Sequence, residues 1–305
     1  MKPNFFIIGA PKTGTTSIAS YIGEHPDVCF SNPKEPFYWC DDIPSAAHEL
    51  NITSLQEYLK LFKTDDKAFK VLAEGSTKYL RSITAVENIL QYNKDAKFLV
   101  VLRNPSEVAY AYHMEQVFCH NEPIKDFVKA WSLQANRSKG LDLPNKCRSP
   151  ECLQYGQIAS YYEQVKRLMK SCPKDQYKII LFDDFKDNVA EVYTDILTFA
   201  GLPSDNRKHF PVENSSHARR FALISNFIMN PPKFLEQPLL KLRQKYWGKK
   251  RGLIPYIKSK FNKEKERTDL HPNEYNKLVD YFAKDVSELG NLLGKDLSKW
   301  SVYRD

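Results

Sequence analysis

A lysine and a row of hydroxyl residues are set around two glycines in Gly9-Ala10-Pro11-Lys12-Thr13-Gly14-Thr15-Thr16-Ser17. The apolar run Phe5-Phe6-Ile7-Ile8 precedes this segment, and Ile18, Tyr21 and Ile22 recur after it at helical spacing. The turn therefore joins a strand to a helix. Such a turn aims backbone N–H groups and a helix N-terminus at one point, which suits a phosphate or a sulfate. Gly9 and Gly14 have the separation of the two glycines in the nucleotide P-loop, but the lysine is displaced. Thr15 follows the second glycine, and the lysine lies inside the loop as Lys12. A second apolar run, Lys97-Phe98-Leu99-Val100-Val101-Leu102, ends in Arg103-Asn104-Pro105, where a metal-holding carboxylate would be sought. A kinase neutralises triphosphate charge with Mg²⁺. Here the chain offers cations of its own, and no metal is expected. The bare turn also fits a tight strand–helix connection, or a kinase with an unusual P-loop that would need Mg²⁺ to turn over ATP.

The elements that must carry these residues follow from the apolar pattern. Strands are predicted at 5–9, 69–73, 97–102 and 177–182. Helices are predicted from Gly14 to His25-Pro26 and over 83–92, 105–118, 126–136, 157–169, 189–200 and 272–293, the last with Pro272 in its first turn. Gly201-Leu202-Pro203 is a stop signal. Short apolar strands alternating with helices predict an α/β fold, a single domain over 1–305 with a central parallel sheet flanked by helices and a P-loop-like phosphate-binding loop after the first strand.

The 305 residues are 42% hydrophobic and 27% charged, the balance of a globular protein with a real core. No stretch approaches the roughly 20 apolar residues of a membrane span, and Phe5–Ala10 is too short for a secretion signal. The expectation is a cytoplasmic protein whose six cysteines are reduced, Cys147 and Cys152 being free thiols of a surface loop. The net charge of +8 is concentrated in 231–267, which holds twelve Lys/Arg against three Asp/Glu. Such a stretch suits an anionic ligand, a nucleic acid or an acidic membrane surface, or is a solvated helix face.

Pro11-Lys12-Thr13-Gly14-Thr15-Thr16-Ser17 after a strand resembles the 5′-phosphosulfate loop of sulfotransferases that use 3′-phosphoadenosine 5′-phosphosulfate (PAPS). Leu102-Arg103-Asn104-Pro105 with Ala109-Tyr110-Ala111-Tyr112 resembles their 3′-phosphate motif. Similarity continues through Tyr155-Gly156, Leu181-Phe182-Asp183-Asp184-Phe185, Phe199-Ala200-Gly201-Leu202-Pro203 and Leu292-Leu293-Gly294-Lys295-Asp296-Leu297-Ser298-Lys299-Trp300, and is weakest over 115–150 and 215–270. Lys34-Glu35-Pro36-Phe37-Tyr38 points to the bacterial and glycan-modifying branch.

The resemblance implies that Lys12 meets the charge on the leaving 5′-phosphate, while Thr13, Gly14, Thr15, Thr16 and Ser17 hold that phosphate. Arg103 would bind the 3′-phosphate. Glu35 would be the general base, its apolar neighbours raising its pKa, and His113 the second candidate. Glu74 and Lys78 would face the acceptor. The family has a Ser at position 111 and an Arg at 108, where this chain has Ala111 and Val108. Lys265 and Arg267 of the late basic stretch are expected to compensate. The acceptor is expected to be a hydroxyl or amine of a specialised-metabolite small molecule, with a carbohydrate or glycan as the alternative. A non-catalytic binding protein on the same fold is the alternative of a different class. No nucleic-acid partner is expected.

Overall fold

The computed structural model of the chain describes residues 1–43, 52–64, 68–145, 147, 150–211, 217–219, 262–264 and 269–305. They divide into a larger compact unit, 1–112 with 154–213 and 270–305, and a smaller one, 113–153 with 214–269. The strands are β1 (Phe5–Gly9), β2 (Val28–Phe30), β3 (Val71–Gly75), β4 (Lys97–Leu102), β5 (Tyr177–Leu181), β6 (His217–Arg219) and β7 (Asn262–Glu264). The α-helices are α1 (Thr15–Gly23), α2 (Leu55–Leu59), α3 (Ala85–Tyr92), α4 (Pro105–Phe118), α5 (Phe127–Ser132), α6 (Gln134–Arg137), α7 (Tyr155–Ala159), α8 (Tyr162–Ser171), α9 (Phe182–Asp187), α10 (Val189–Ala200) and α11 (Pro272–Leu293).

The larger unit carries a five-stranded sheet in the order β2-β3-β1-β4-β5, with every neighbouring pair parallel. This is the predicted helix-flanked α/β architecture. β1 lies at the centre, and all five of its residues are buried, as a strand covered on both faces requires. Phe5 and Ile7 pack on one face with Ile18 and Ile22 of α1 and Ile196 and Leu197 of α10. The strand period of two turns Phe6 and Ile8 to the other face, where the Phe6 and Phe98 rings stack 5.9 Å apart.

Several boundaries differ from the sequence expectation for local reasons. The helix expected over 157–169 is two, because Tyr161 and Tyr162 donate their backbone N–H groups to Asp285 of α11 at 2.8 and 3.1 Å. β2, only three residues long, follows Pro26-Asp27 too closely to show a period. β3 runs two residues past the expected end, through Glu74 and Gly75. In the smaller unit, β6 and β7 pair antiparallel. Cys147 and Cys152 are both free thiols there, but Cys152 is buried rather than on the surface.

The strand order places the site. β1 connects toward β2 on one side of the sheet, and β4 connects toward β5 on the other. Loops leaving adjacent parallel strands in opposite directions open a crevice at their carboxyl ends, where α/β proteins bind ligands. The two loops that meet at this crevice are the Lys12 loop and the Arg103 loop.

Candidate functional site

The Lys12 loop is fixed from beneath. The Ala10 N–H donates to the Val101 carbonyl at 2.8 Å, and the Thr13 hydroxyl donates back to the Ala10 carbonyl at 2.8 Å. The Thr13 side chain is thereby spent on the loop, leaving its backbone N–H as the group to offer a ligand. Gly14 precedes α1 with φ 82°, and no side chain caps that helix end. A Cβ on Gly14 would lie 2.9 Å from the Phe182 ring as well as in the left-handed region, so only glycine fits. An uncapped α1 leaves its first N–H groups to an external acceptor, with the positive end of the helix dipole behind them. Thr16 is half-buried at that end, and Lys12 is exposed beside it.

Arg103 reaches the same loop. Its Nη1 donates to the Lys12 carbonyl at 3.4 Å, and its guanidinium lies 4.7 Å from the centre of the Phe182 ring. Glu107, one helical turn on, takes Arg103 Nε at 2.8 Å and also pairs with Nη2. Asn104 ties this loop to the C-terminal part of the unit through Tyr275 Oη at 3.0 Å and the Trp300 carbonyl at 3.3 Å. Glu107 lies outside the motifs quoted from the sequence, and Asn104 and Phe182 stand in them without an assigned role. The four-residue spacing of Arg103 and Glu107, across the helix start at Pro105, was the available signal.

The segment after β2 is laid against the exit of β3. The Gly75 N–H donates to the Lys34 carbonyl at 3.1 Å, and the Phe37 N–H to Ser76 Oγ at 3.1 Å. Glu35 is presented there, its Oε1 accepting from Lys34 Nζ at 3.0 Å and from Thr77 Oγ1 at 3.3 Å. The β3 exit also borders the phosphate loop: the Leu80 N–H donates to the Ile8 carbonyl at 2.8 Å, and a Cβ on Gly9 would meet Leu80 Cβ at 2.7 Å. Lys78 places its ammonium 4.3 Å from the centre of the Phe37 ring. Lys12, Arg103, Glu35, Thr77 and Lys78 thus all lie at the carboxyl ends of β1 to β4.

Glu74 is placed differently. It is fully buried at 0% exposure and accepts a 2.5 Å hydrogen bond from Tyr58 Oη. Burial pushes its carboxyl from 4.5 up to about 7, and the charge of Glu35 adds to the rise. The folded chain then holds a proton that the unfolded chain has lost. This contribution to stability is fully present below the ordinary glutamate value and is lost as pH rises through about 7. Glu74→Gln should flatten that decline, so that melting temperatures taken at about pH 5 and about pH 8 differ less than in the wild type. An unchanged difference would show that Glu74 does not titrate in this window.

His113 belongs to the smaller unit and is 1% exposed. Its Nε2 lies 2.9 Å from the Ile124 carbonyl, and its ring packs edge-on to Phe127. Burial holds its pKa below the ordinary histidine value. Nearby, fully buried Arg137 pairs with Glu122 at 2.5 Å. Lys265 and Arg267 lie outside the described residues, as does 231–267 apart from β7.

A model of the sulfotransferase domain matches residues 2–229. The bifunctional heparan sulfate N-deacetylase/N-sulfotransferase 1 of Caenorhabditis briggsae is 23% identical over 97% of this chain, a match covering 31% of that protein. The bifunctional heparan sulfate N-deacetylase/N-sulfotransferase 2 of Homo sapiens is 26% identical over 66% of this chain and 22% of its own length. The chain thus spans less than a third of these curated relatives. The crystal structure of a sulfotransferase from Alicyclobacillus acidocaldarius aligns with a TM-score of 0.70 at 23% identity, covering 99% of this chain and 100% of that one. That likeness is one of fold. Among the described residues, no helix is long and apolar enough to cross a membrane.

Proposed function

The chain belongs to the sulfotransferase family, and from that premise we propose that it transfers a sulfuryl group from PAPS to an amine of a carbohydrate acceptor. The observation that carries the donor half is the α1 N-terminus without a side-chain cap, flanked by Lys12 and with Arg103 bonded to the Lys12 carbonyl. A phosphosulfate supplies the missing cap, and Lys12 balances its charge, with Arg103 left for the 3′-phosphate. The carbohydrate half rests on the relatives, whose names are those of heparan sulfate N-sulfotransferases. They favour a glycan over the small metabolite expected from the motifs. The excess of twelve Lys/Arg over three Asp/Glu in 231–267 suits an anionic polysaccharide.

Sulfuryl transfer, like phosphoryl transfer, is mostly positioning and charge stabilisation. The acceptor nitrogen attacks sulfur in line. The N–S bond forms as the bond from sulfur to the 5′-phosphate oxygen breaks, and that oxygen gains the negative charge. Lys12 meets the charge, with the α1 N-terminus holding the remaining phosphate oxygens. The proton lost by the nitrogen passes to Glu35. Arg103 holds the 3′-phosphate by exchanging part of its pairing with Glu107 for the ligand.

The test is transfer from radiolabelled PAPS to a free-amine glucosamine polysaccharide, its N-acetylated form, and a panel of small amines and alcohols. Label on the free-amine polysaccharide is expected. Label confined to small amines or alcohols would overturn the glycan reading. Binding of 3′,5′-adenosine diphosphate without transfer to anything would leave a binding protein on this fold.

A further inference from the structure

A buried set of hydroxyls joins Glu74 to the segment that carries Glu35. Tyr58 of α2, Ser76 and Tyr79 surround the Glu74 carboxyl, and all four side chains are fully buried. Tyr58 Oη donates to Glu74 Oε2 at 2.5 Å, and the Ser76 and Tyr79 hydroxyls hydrogen-bond the same carboxyl. Oε1 has no partner among the described residues, so Oε2 is the oxygen that receives them. Each of these three residues also holds one residue of the segment after Glu35. Ser76 Oγ accepts from the Phe37 N–H at 3.1 Å. The Tyr58 ring stacks on Tyr38 at 4.8 Å and 15°. Tyr79 Oη accepts from the Trp39 N–H at 3.2 Å. Phe37 itself sits at φ 53°, a left-handed conformation that a bulky residue keeps only where its surroundings hold it.

We propose that Glu74 is a positioning residue for the base: through Tyr58, Ser76 and Tyr79 it holds residues 37–39, and thereby the turn that presents Glu35. The proposal rests on the assignment of Glu35 above. A hydroxyl that accepts from a backbone N–H must send its own proton to another acceptor. Glu74 Oε2 is that acceptor for both Ser76 and Tyr79, so the carboxyl fixes the direction in which their lone pairs face the segment. Without it, two buried hydroxyls lose their acceptor, and they regain one only by turning away from Phe37 and Trp39 or by drawing the chain with them. On the other side of Glu35 the Gly75 N–H ties down the Lys34 carbonyl, so slack at 37–39 falls on the Glu35 carboxylate. The charge of Glu74 is not what holds the segment. A proton on Oε1 leaves Oε2 an acceptor, and glutamine presents its carbonyl oxygen there with its amide nitrogen in place of Oε1. Being fully buried, Glu74 acts on the reaction only through Glu35.

The test measures transfer from radiolabelled PAPS to a free-amine glucosamine polysaccharide by wild type, Glu74→Leu and Glu74→Gln, each also in a Glu35→Gln background. Glu74→Leu removes the acceptor oxygens and should lower kcat about tenfold or more, with KM for PAPS unchanged. Glu74→Gln should stay within about twofold of wild type, because its carbonyl replaces Oε2. In the Glu35→Gln background, Glu74→Leu should lower kcat no further, since the group it positions is gone. Equal losses in both backgrounds, or wild-type kcat in folded Glu74→Leu, would overturn the proposal. Tyr58→Phe removes one hydroxyl and keeps the ring on Tyr38. Its loss of about threefold, again absent in the Glu35→Gln background, carries the test if Glu74→Leu does not fold. Hydrogen exchange at the Phe37 and Trp39 amides reads the hold without any acceptor. It should quicken about tenfold in Glu74→Leu, less in Tyr58→Phe and not in Glu74→Gln, while the β1 amides keep wild-type protection. Unchanged exchange would overturn the proposal whatever the acceptor. Quickened exchange beside wild-type turnover in Glu35→Gln would overturn the base assignment, and the catalytic role of Glu74 with it.

Discussion

Lys12→Ala is expected to lower turnover by about a hundredfold or more, the usual cost of removing one preorganised charge donor from a developing oxyanion. The fold should be indifferent. Lys12 is exposed and already sits at φ 63°, and alanine pays the same left-handed cost of roughly 1 kcal/mol as lysine. The loop is held by the Ala10 N–H on the Val101 carbonyl and by Thr13 on Ala10, neither of which involves the Lys12 side chain. The loss should fall on kcat more than on KM for PAPS, because the α1 N–H groups and Arg103 still hold the phosphates in the ground state. A melting temperature near wild type with single-turnover rates down about a hundredfold is the expected pair of results. Wild-type turnover would remove Lys12 from the chemistry. An equal loss in KM alone would make it a ground-state anchor.

That loop was legible because its geometry is local. A buried strand, a glycine-bearing turn and a helix start are all written between Phe5 and Ser17, and Arg103 is marked by the next central strand ending on it. What stayed hidden depends on contacts distant in sequence. The Phe182 ring against Gly14 and under Arg103 joins strand ends that no periodicity relates. The Glu35 carboxylate meets Thr77, 42 residues on in the chain. Glu74 shows the limit of motif position as a guide. Its place after the β3 apolar run suggested an acceptor contact, whereas β3 continues through it and Tyr58 takes its carboxylate. α2 is the opposite case. Its capping box, Ser54 with Glu57, was readable in Ser54-Leu55-Gln56-Glu57, but a helix of five residues carries too little apolar pattern to support it.

Glu35→Gln is expected to lower kcat by about a hundredfold or more, within the range typical for a general base. Glutamine keeps a carbonyl oxygen for Thr77 and Lys34, so the segment after β2 should hold its place. The lost ion pair with Lys34 is about one-third exposed and contributes little to stability. KM for PAPS should not move, because Glu35 acts on the acceptor side. The free-amine fraction of the acceptor sets the rise of kcat/KM with pH in wild type and Glu35→Gln alike, so rescue decides the assignment. Glu35→Asp, which keeps the carboxylate and withdraws it by one methylene, should restore part of the rate. Wild-type kcat in Glu35→Gln would assign the proton to another group. His113 of the smaller unit, whose pKa burial holds below the ordinary histidine value, would then be the next residue to replace.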